Sequence, residues 1–251
     1  MVTNRLAELW SNFRARPERL RTGARIYAVG DIHGHLDRLQ RLHAAIRQDL
    51  AIRPTGSVTL VHIGDLIDRG PDSAGVLNHL LGHPVPGATV VTLLGNHEAM
   101  LLDALSTHDE ASAEHWALHG GSASLISWNV PARAPVSAWW THIPPTHLTF
   151  MRALPRCYVQ DGYVFAHAGV RPGIPLAAQL PDDLIWIRDG FLDWPGIMLP
   201  ETPDAILVHG HSPRMRPEVR RNRINLDTGA GRGGPLSCAI LEGQGVRWMQ
   251  A

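Results

Sequence analysis

"ARIYAVGDIHGHLDRL" (residues 24–39) carries an apolar run into Gly30, sets Asp31 and His33 between Gly30 and Gly34, and then starts a new apolar pattern. The run predicts a buried strand, and Leu39, Leu42 and Ile46 predict a helix over Leu36 to Leu50. The same unit returns twice. "SVTLVHIG" (57–64) precedes "PDSAGVLNHLLG" (71–82), whose Pro71 suits a first helical turn, and "ATVVTLLG" (88–95) precedes a helix from His97 to about Leu105. Strands alternating with helices at this spacing predict a largely parallel sheet covered on both faces. Each strand ends in glycine followed by a polar group: Gly30-Asp31, Gly64-Asp65, Gly95-Asn96. Ligands of open α/β sheets bind outside the carboxyl ends of the strands, so three such clusters can converge.

The rest of the chain bounds that reading. Its 251 residues can bury one large domain or two small ones, and 44% apolar with 18% charged residues is an ordinary globular balance. Lys plus Arg equals Asp plus Glu at 23 each, which argues against nucleic acid or an anionic membrane as an obligate partner. Cys157 and Cys238 lie far apart in apolar segments, so buried free thiols in a reducing cytosol are expected. No apolar run reaches the roughly 18 residues of a membrane span. The N-terminus lacks the apolar core of a secretory signal, and a cytoplasmic location is expected. Leu6, Leu9, Trp10 and Phe13 predict a short docking helix, giving residues 1–24 as helix and basic linker and 25–251 as one domain.

Residues 106–155 hold Trp116, Trp128, Trp139, Trp140, a "HGG" break at 119–121 and, among their prolines, Pro131, Pro135, Pro144 and Pro145, and predict short helices forming a cap over the strand ends. The tryptophans are expected in the cap's core. "GYVFAHAG", "DAILVHG", "RINLD", "LSCAILEG" and "GVRWM" then predict a second, mostly antiparallel sheet facing the first.

Five polar clusters follow predicted strands: "GDIHG" (30–34), "GDLIDRG" (64–70), "GNHE" (95–98), "FAHAG" (165–169) and "VHGHSP" (208–213). Any one alone reads as a turn or a helix cap. Together they supply carboxylate, amide and imidazole without thiolate, a donor set for a borderline divalent metal such as Mn, Fe or Zn. In this order the set resembles the calcineurin-like metallophosphoesterase superfamily. "GDxHG…GDxxDRG…GNHE" is similar to its phosphoprotein phosphatase family in the compact bacterial and phage branch, and "NHEAMLLDAL", "HGGSASLISW" and "INLDTGAGRGG" match as well.

The resemblance implies an α/β four-layer sandwich of two mixed sheets flanked by helices, with a small helical cap. It implies two divalent ions, manganese first with iron or zinc as alternatives, and a hydroxide bridging them as nucleophile. Asp31 and His33 would hold the first ion and Asp65 would bridge both. Asn96, His167 and His211 would complete the second. Related esterases carry GHxH; here Gly210-His211-Ser212-Pro213 lacks the second histidine, leaving the first ion one protein ligand fewer and His209 structural. The centre then keeps about one net positive charge, before arginines, for a phosphate dianion. Arg69 and Arg188 match the family's phosphate clamps, whereas Arg171 reads as a solvated loop residue. His97 would protonate the leaving alkoxide, with Asp68 orienting it and raising its pKa. Asp227 and Gly229 would shape a nearby loop. His35, next to the first cluster, is expected close behind the ligands; His62, His79, His115 and His119 are left to core or surface.

The leading expectation is a metal-dependent phosphomonoesterase acting as a serine/threonine protein phosphatase on a phosphorylated protein or small phosphomonoester. The alternative is a dinucleoside polyphosphate hydrolase, a sister branch sharing "HAG" and "DTG" but tending to GNHD and lacking the Asp before Arg-Gly. Glu98 and Asp68 favour the first. A dead phosphate-binding module would have lost a ligand or the acid, and none is lost.

Overall fold

The computed structural model describes residues 20–251, so the helix expected over Leu6 to Phe13 lies outside the described residues. Three strand–helix units open the chain: β1 (Ala24–Val29) and α1 (Leu36–Ile52), β2 (Ser57–His62) and α2 (Ser73–Leu81), β3 (Thr89–Thr92) and α3 (Asn96–Thr107). β1 pairs in parallel with β2, and β2 with β3, as the alternation predicts. Four short helices follow, α4 (Glu110–Trp116), α5 (Ser122–Ser127), α6 (Val136–Trp139) and α7 (Pro145–Arg152), and then β4 (Cys157–Gln160) and β5 (Tyr163–Ala166). α8 (Asp183–Trp186), β6 (Ile206–His209), β7 (Glu218–Val219), β8 (Arg223–Asn225), β9 (Ser237–Glu242) and β10 (Gly245–Gln250) complete the chain.

The strands form two five-stranded mixed sheets, ordered β10-β9-β1-β2-β3 and β4-β5-β6-β8-β7. The second sheet is not mostly antiparallel: β5–β6 and β6–β8 are parallel, with antiparallel pairs only at its two edges. The last two strands leave it altogether, β9 pairing antiparallel with β1 in the first sheet. The two sheets and the helices make the four-layer sandwich that the resemblance implied.

Strand alternation sorts the core. Ile26, Ala28, Val61 and Ile63 meet Phe165, Val208, Ile224 and Leu226 between the sheets. Tyr27, Val29 and Leu60 point the other way, into a core shared with Leu39, Leu42, Ile46, Val76, Leu77 and Leu101. Trp116, Trp128 and Trp139 join that same core, so the tryptophan-rich segment packs as part of the helical layer. Trp140 is exposed. Leu184, Phe191, Met198 and Leu199 cover the outer face of the second sheet. Both cysteines are free, Cys238 buried and Cys157 only half-buried at the sheet edge. Among the described residues no helix is long and apolar enough to cross a membrane.

Candidate metal centre

The exits of β1 and β2 are stitched together by backbone bonds. Ile32 and His33 both donate to Asp65 O, at 2.9 and 2.8 Å, and Gly70 N returns a bond to His33 O. These close loops demand unusual backbone. Among the described residues nine non-glycines have positive φ, and five of them are His33, Asp65, Asp68, Arg69 and His211. Such conformations are costly and collect where the fold must aim a side chain. A side chain at two glycines would collide with the cluster, a Cβ at Gly95 falling on the Asp65 backbone and carboxylate, and one at Gly210 on Asp31 Oδ1.

Glu98, used in the sequence only to tell GNHE from GNHD, organises these loops. Its buried carboxylate accepts the backbone N–H of Asp65 (3.0 Å), Leu66 (2.8 Å), Ile67 (3.1 Å) and Gly95 (2.9 Å). One side chain thus caps α3 and fixes the β2 exit. Burial and the neighbouring Asp65 push it up to about 7. A glutamate three residues after the N-cap, able to accept its N–H, is the signal the sequence offers; the reach to the other loop is not in it.

The six expected ligands converge around Asp65. Its Oδ2 lies 3.5 Å from His33 Nε2, and its Oδ1 lies 3.3 Å from His167 Nε2, so each oxygen faces a different group. Asn96 Oδ1 is 3.0 Å from His167 Nε2 and 2.8 Å from His211 Nδ1. His33 Nδ1 donates to Ile67 O and His167 Nδ1 to Ile63 O, both at 3.0 Å, which turns each Nε2 inward as a lone pair. His211 N–H donates to Asp31 Oδ2 at 3.0 Å. Asp31 Oδ1 and His211 Nε2, both buried, have no partner among the described residues. Buried lone pairs facing one another are costly unless a cation lies between them, so this donor set fits a pair of divalent ions sharing Asp65. Two overlapping groups, His33–Asp65–His97 and Asp65–His167–His211, each have ligand atoms close enough for one ion.

The electrostatics agree. Burial alone would raise Asp65, but His167, His97 and His33 hold it well below the carboxylate range. Asp31 is raised by burial and by Asp227, whose buried carboxylate accepts Gly229 N–H at 2.9 Å. Burial would lower His167, yet Asp65 and Asp31 outweigh it and pull it up to about 9.

Beside this cluster His97 Nδ1 donates to Asp68 Oδ2 at 2.7 Å. Burial lowers His97, and Asp65 with Asp68 outweigh it, so its pKa is raised. Asp68 is held from the tryptophan-rich segment: Trp116 Nε1 donates to Oδ2 at 2.7 Å and Ser124 Oγ to Oδ1 at 2.6 Å. Trp116 was expected as core, and it is core with one polar atom committed to the site.

Both arginines expected as phosphate clamps contact residues of the cluster. Arg69 puts Nη1 2.7 Å from His33 Nε2 and Nη2 2.8 Å from His97 Nε2, so its guanidinium lies over the two imidazoles. Its backbone N–H is fixed to Gly120 O in the "HGG" break. Arg188 is exposed and donates from Nη2 to His211 O at 3.1 Å. Arg171 is exposed and paired with Asp183. His209 stays off the cluster, edge-on to Phe191 at 4.9 Å, and half-buried His35 lies just before α1.

Residues 24–231 match the family described as calcineurin-like phosphoesterase. The chain is 29% identical over 236 residues to serine/threonine-protein phosphatase 1 of Salmonella typhimurium, covering 86% of this chain and 92% of that one. It is 27% identical over 229 residues to the asymmetrical bis(5'-nucleosyl)-tetraphosphatase PrpE of Halalkalibacterium halodurans, covering 83% and 87%. A solved structure described as a "putative diadenosine tetraphosphatase" superposes with a TM-score of 0.65 at 25% identity, over 95% of this chain and 99% of that one.

Proposed function

The chain belongs to the calcineurin-like phosphoesterase family, and from that premise we propose that it is a metal-dependent phosphomonoesterase acting as a serine/threonine protein phosphatase. Residues 25–251 are then one catalytic unit with 106–155 as its cap, at work in the cytoplasm. Asp31, His33 and Asp65 would hold one divalent ion, and Asp65, Asn96, His167 and His211 the other, manganese first among the metals this donor set suits. When bound, such ions neutralise phosphate charge and lower the pKa of water toward neutrality.

The protein's own part centres on one side chain. Arg69 covers His33 Nε2 and His97 Nε2, and only its side chain has to move, because Gly120 O anchors the backbone. Swung onto a phosphate with Arg188, it forms a two-armed oxyanion clamp and frees both nitrogens at once. His97 then carries a proton at Nε2, steadied through Nδ1 by Asp68, and delivers it to the leaving oxygen.

The observation that carries the reading is the buried Asp68–His97 pair, because a serine or threonine alkoxide requires a proton and a nucleotide phosphate does not. Serine/threonine phosphatase 1 of Salmonella typhimurium, matched over most of both chains, supports it. The competing reading, a bis(5'-nucleosyl)-tetraphosphatase, has support of equal weight in the PrpE relative and the superposed structure. A hydrolysis panel at saturating Mn²⁺ separates them. Phosphoserine and phosphothreonine peptides should exceed diadenosine tetraphosphate in kcat/KM, and the reverse order replaces the first reading with the second.

A further inference from the structure

The chain's charge is balanced overall but not along its length. Residues 214–223 carry Arg214, Arg216, Arg220, Arg221 and Arg223 against Glu218 alone. They run from the loop after His211 through the β7–β8 hairpin at the edge of the second sheet. Glu218 is used up internally, pairing with Arg220 at 2.8 Å and buried Arg223 at 3.0 Å. Arg214, Arg216 and Arg221 are exposed and form no ion pair with another described residue. Arg188 adds a fourth exposed cation where this stretch leaves the site, bonded to His211 O.

Apolar surface is interleaved with them. Met215 is 96% exposed between Arg214 and Arg216, and the exposed Trp194 and Ile197 lie on a loop tied to the hairpin turn by Asn222 Nδ2, which donates to Trp194 O and Gly196 O. Blunting a sheet edge against aggregation takes a charge or two of either sign. Unpaired cations of one sign alternating with exposed Met and Trp go beyond that need.

We propose that this hairpin is a docking face for an acidic segment flanking the phosphorylated residue of a protein substrate, an inference that rests on the protein-phosphatase reading. Charge complementarity gives the sign of the partner. Length gives its class: at a strand rise of about 3.3 Å per residue, the turn at Arg221 lies roughly 20 Å along the chain from Asp227. An extended peptide of about six residues spans that distance. Glu218 and Asp193 act on Arg223 and Asp189 adjoins Arg188, so the six arginines outnumber these three acids and the strip stays basic.

The test compares one phosphoserine peptide with glutamate flanks and the same peptide with alanine flanks. The glutamate peptide should show roughly 10-fold higher kcat/KM at low salt, carried by KM and fading as ionic strength rises. Arg216→Glu with Arg221→Glu should erase that preference and leave turnover of nitrophenyl phosphate unchanged. A second arm measures binding of a fluorescent, unphosphorylated glutamate peptide by anisotropy, with a single-stranded oligonucleotide of equal charge as competitor. Peptide binding that the double variant abolishes supports the face even if no phosphopeptide is turned over, a result that would instead sink the protein-phosphatase reading. Equal turnover of the two peptides by the wild type, or a preference that survives charge reversal, overturns the proposal. So does tighter binding of the oligonucleotide, which would assign the face to nucleic acid.

Discussion

Strand β2 ends between two groups of buried histidine. At its exit His33, His97, His167 and His211 gather around Asp65. Three residues earlier, His62 joins a file that runs Thr92 Oγ1, His62, His43, His79 with contacts of 3.1, 3.0 and 2.9 Å. His62 and His43 are as deeply buried as the first group, but among the described residues no carboxylate acts on them, and the neighbouring charged group is Arg47. Burial therefore goes unopposed and pushes His43 down to about 2 and His62 down to about 3; in the first group it still pushes His33 down and His211 to about 3, but the carboxylates overcome it at His97 and lift His167 to about 9. The imidazole is the same in both places. Carboxylates decide whether a buried histidine cluster draws cations or stays neutral as a file of N–H···N bonds.

If that contrast is right, removing the shared carboxylate should have the largest effect. Asp65→Asn should lose both ions by elemental analysis and activity by roughly 10⁴-fold or more, since metal activation and charge neutralisation go together. A variant that keeps full metal would break the comparison at its centre. Next comes His97→Asn, expected to keep its ions and lower kcat by roughly 10²–10⁴-fold. The loss should be greater for phosphoserine than for nitrophenyl phosphate, and an equal loss for both would remove His97 as the acid. Trp116→Phe should cost about 10- to 100-fold in kcat on phosphoserine, the worth of one hydrogen bond to a charged group. Mere loosening of the core would not split the two leaving groups.

The neutral file makes the smallest prediction. His43 and His62 have folded pKa values below the ordinary 6.5. Their contribution to stability is present above pH 6.5 and is lost as pH falls toward 3, at up to about 1.4 kcal/mol per pH unit for each proton the unfolded chain takes up. Urea midpoints measured between pH 7 and 4.5 should therefore drop, and His62→Gln should flatten the slope. A slope that does not change would mean the file is not where the protons go.

Much of the centre was legible because glycine, a polar pair and a preceding strand recur at each exit, and strand exits in such sheets share one edge. Asp31, His33, Asp65, Asn96, His167 and His211 come together as that pattern implied. What was not legible depends on direction. β9 and β10 have the same alternation as any half-buried strand, and nothing in that alternation says which sheet they join. Trp116 reads as apolar bulk, and only packing shows its N–H pointing at Asp68. Arg69 reads as a clamp for a ligand, but a guanidinium also satisfies two imidazole lone pairs, and it rests on those.

Glu98 has a further consequence. It grips four amides drawn from two separate loops, so the exit of β2 and the start of α3 cannot shift independently. Asp65, on one of those loops, belongs to both half-sites, and Asn96 begins the helix on the other. Ordering either half-site therefore already orders much of its neighbour, and a second cation finds part of its entropic cost met by the first. Mn²⁺ titrations followed by calorimetry should show a sigmoidal isotherm in the wild type. Glu98→Gln, which keeps the shape but weakens the grip on the amides, should turn that curve into two independent steps.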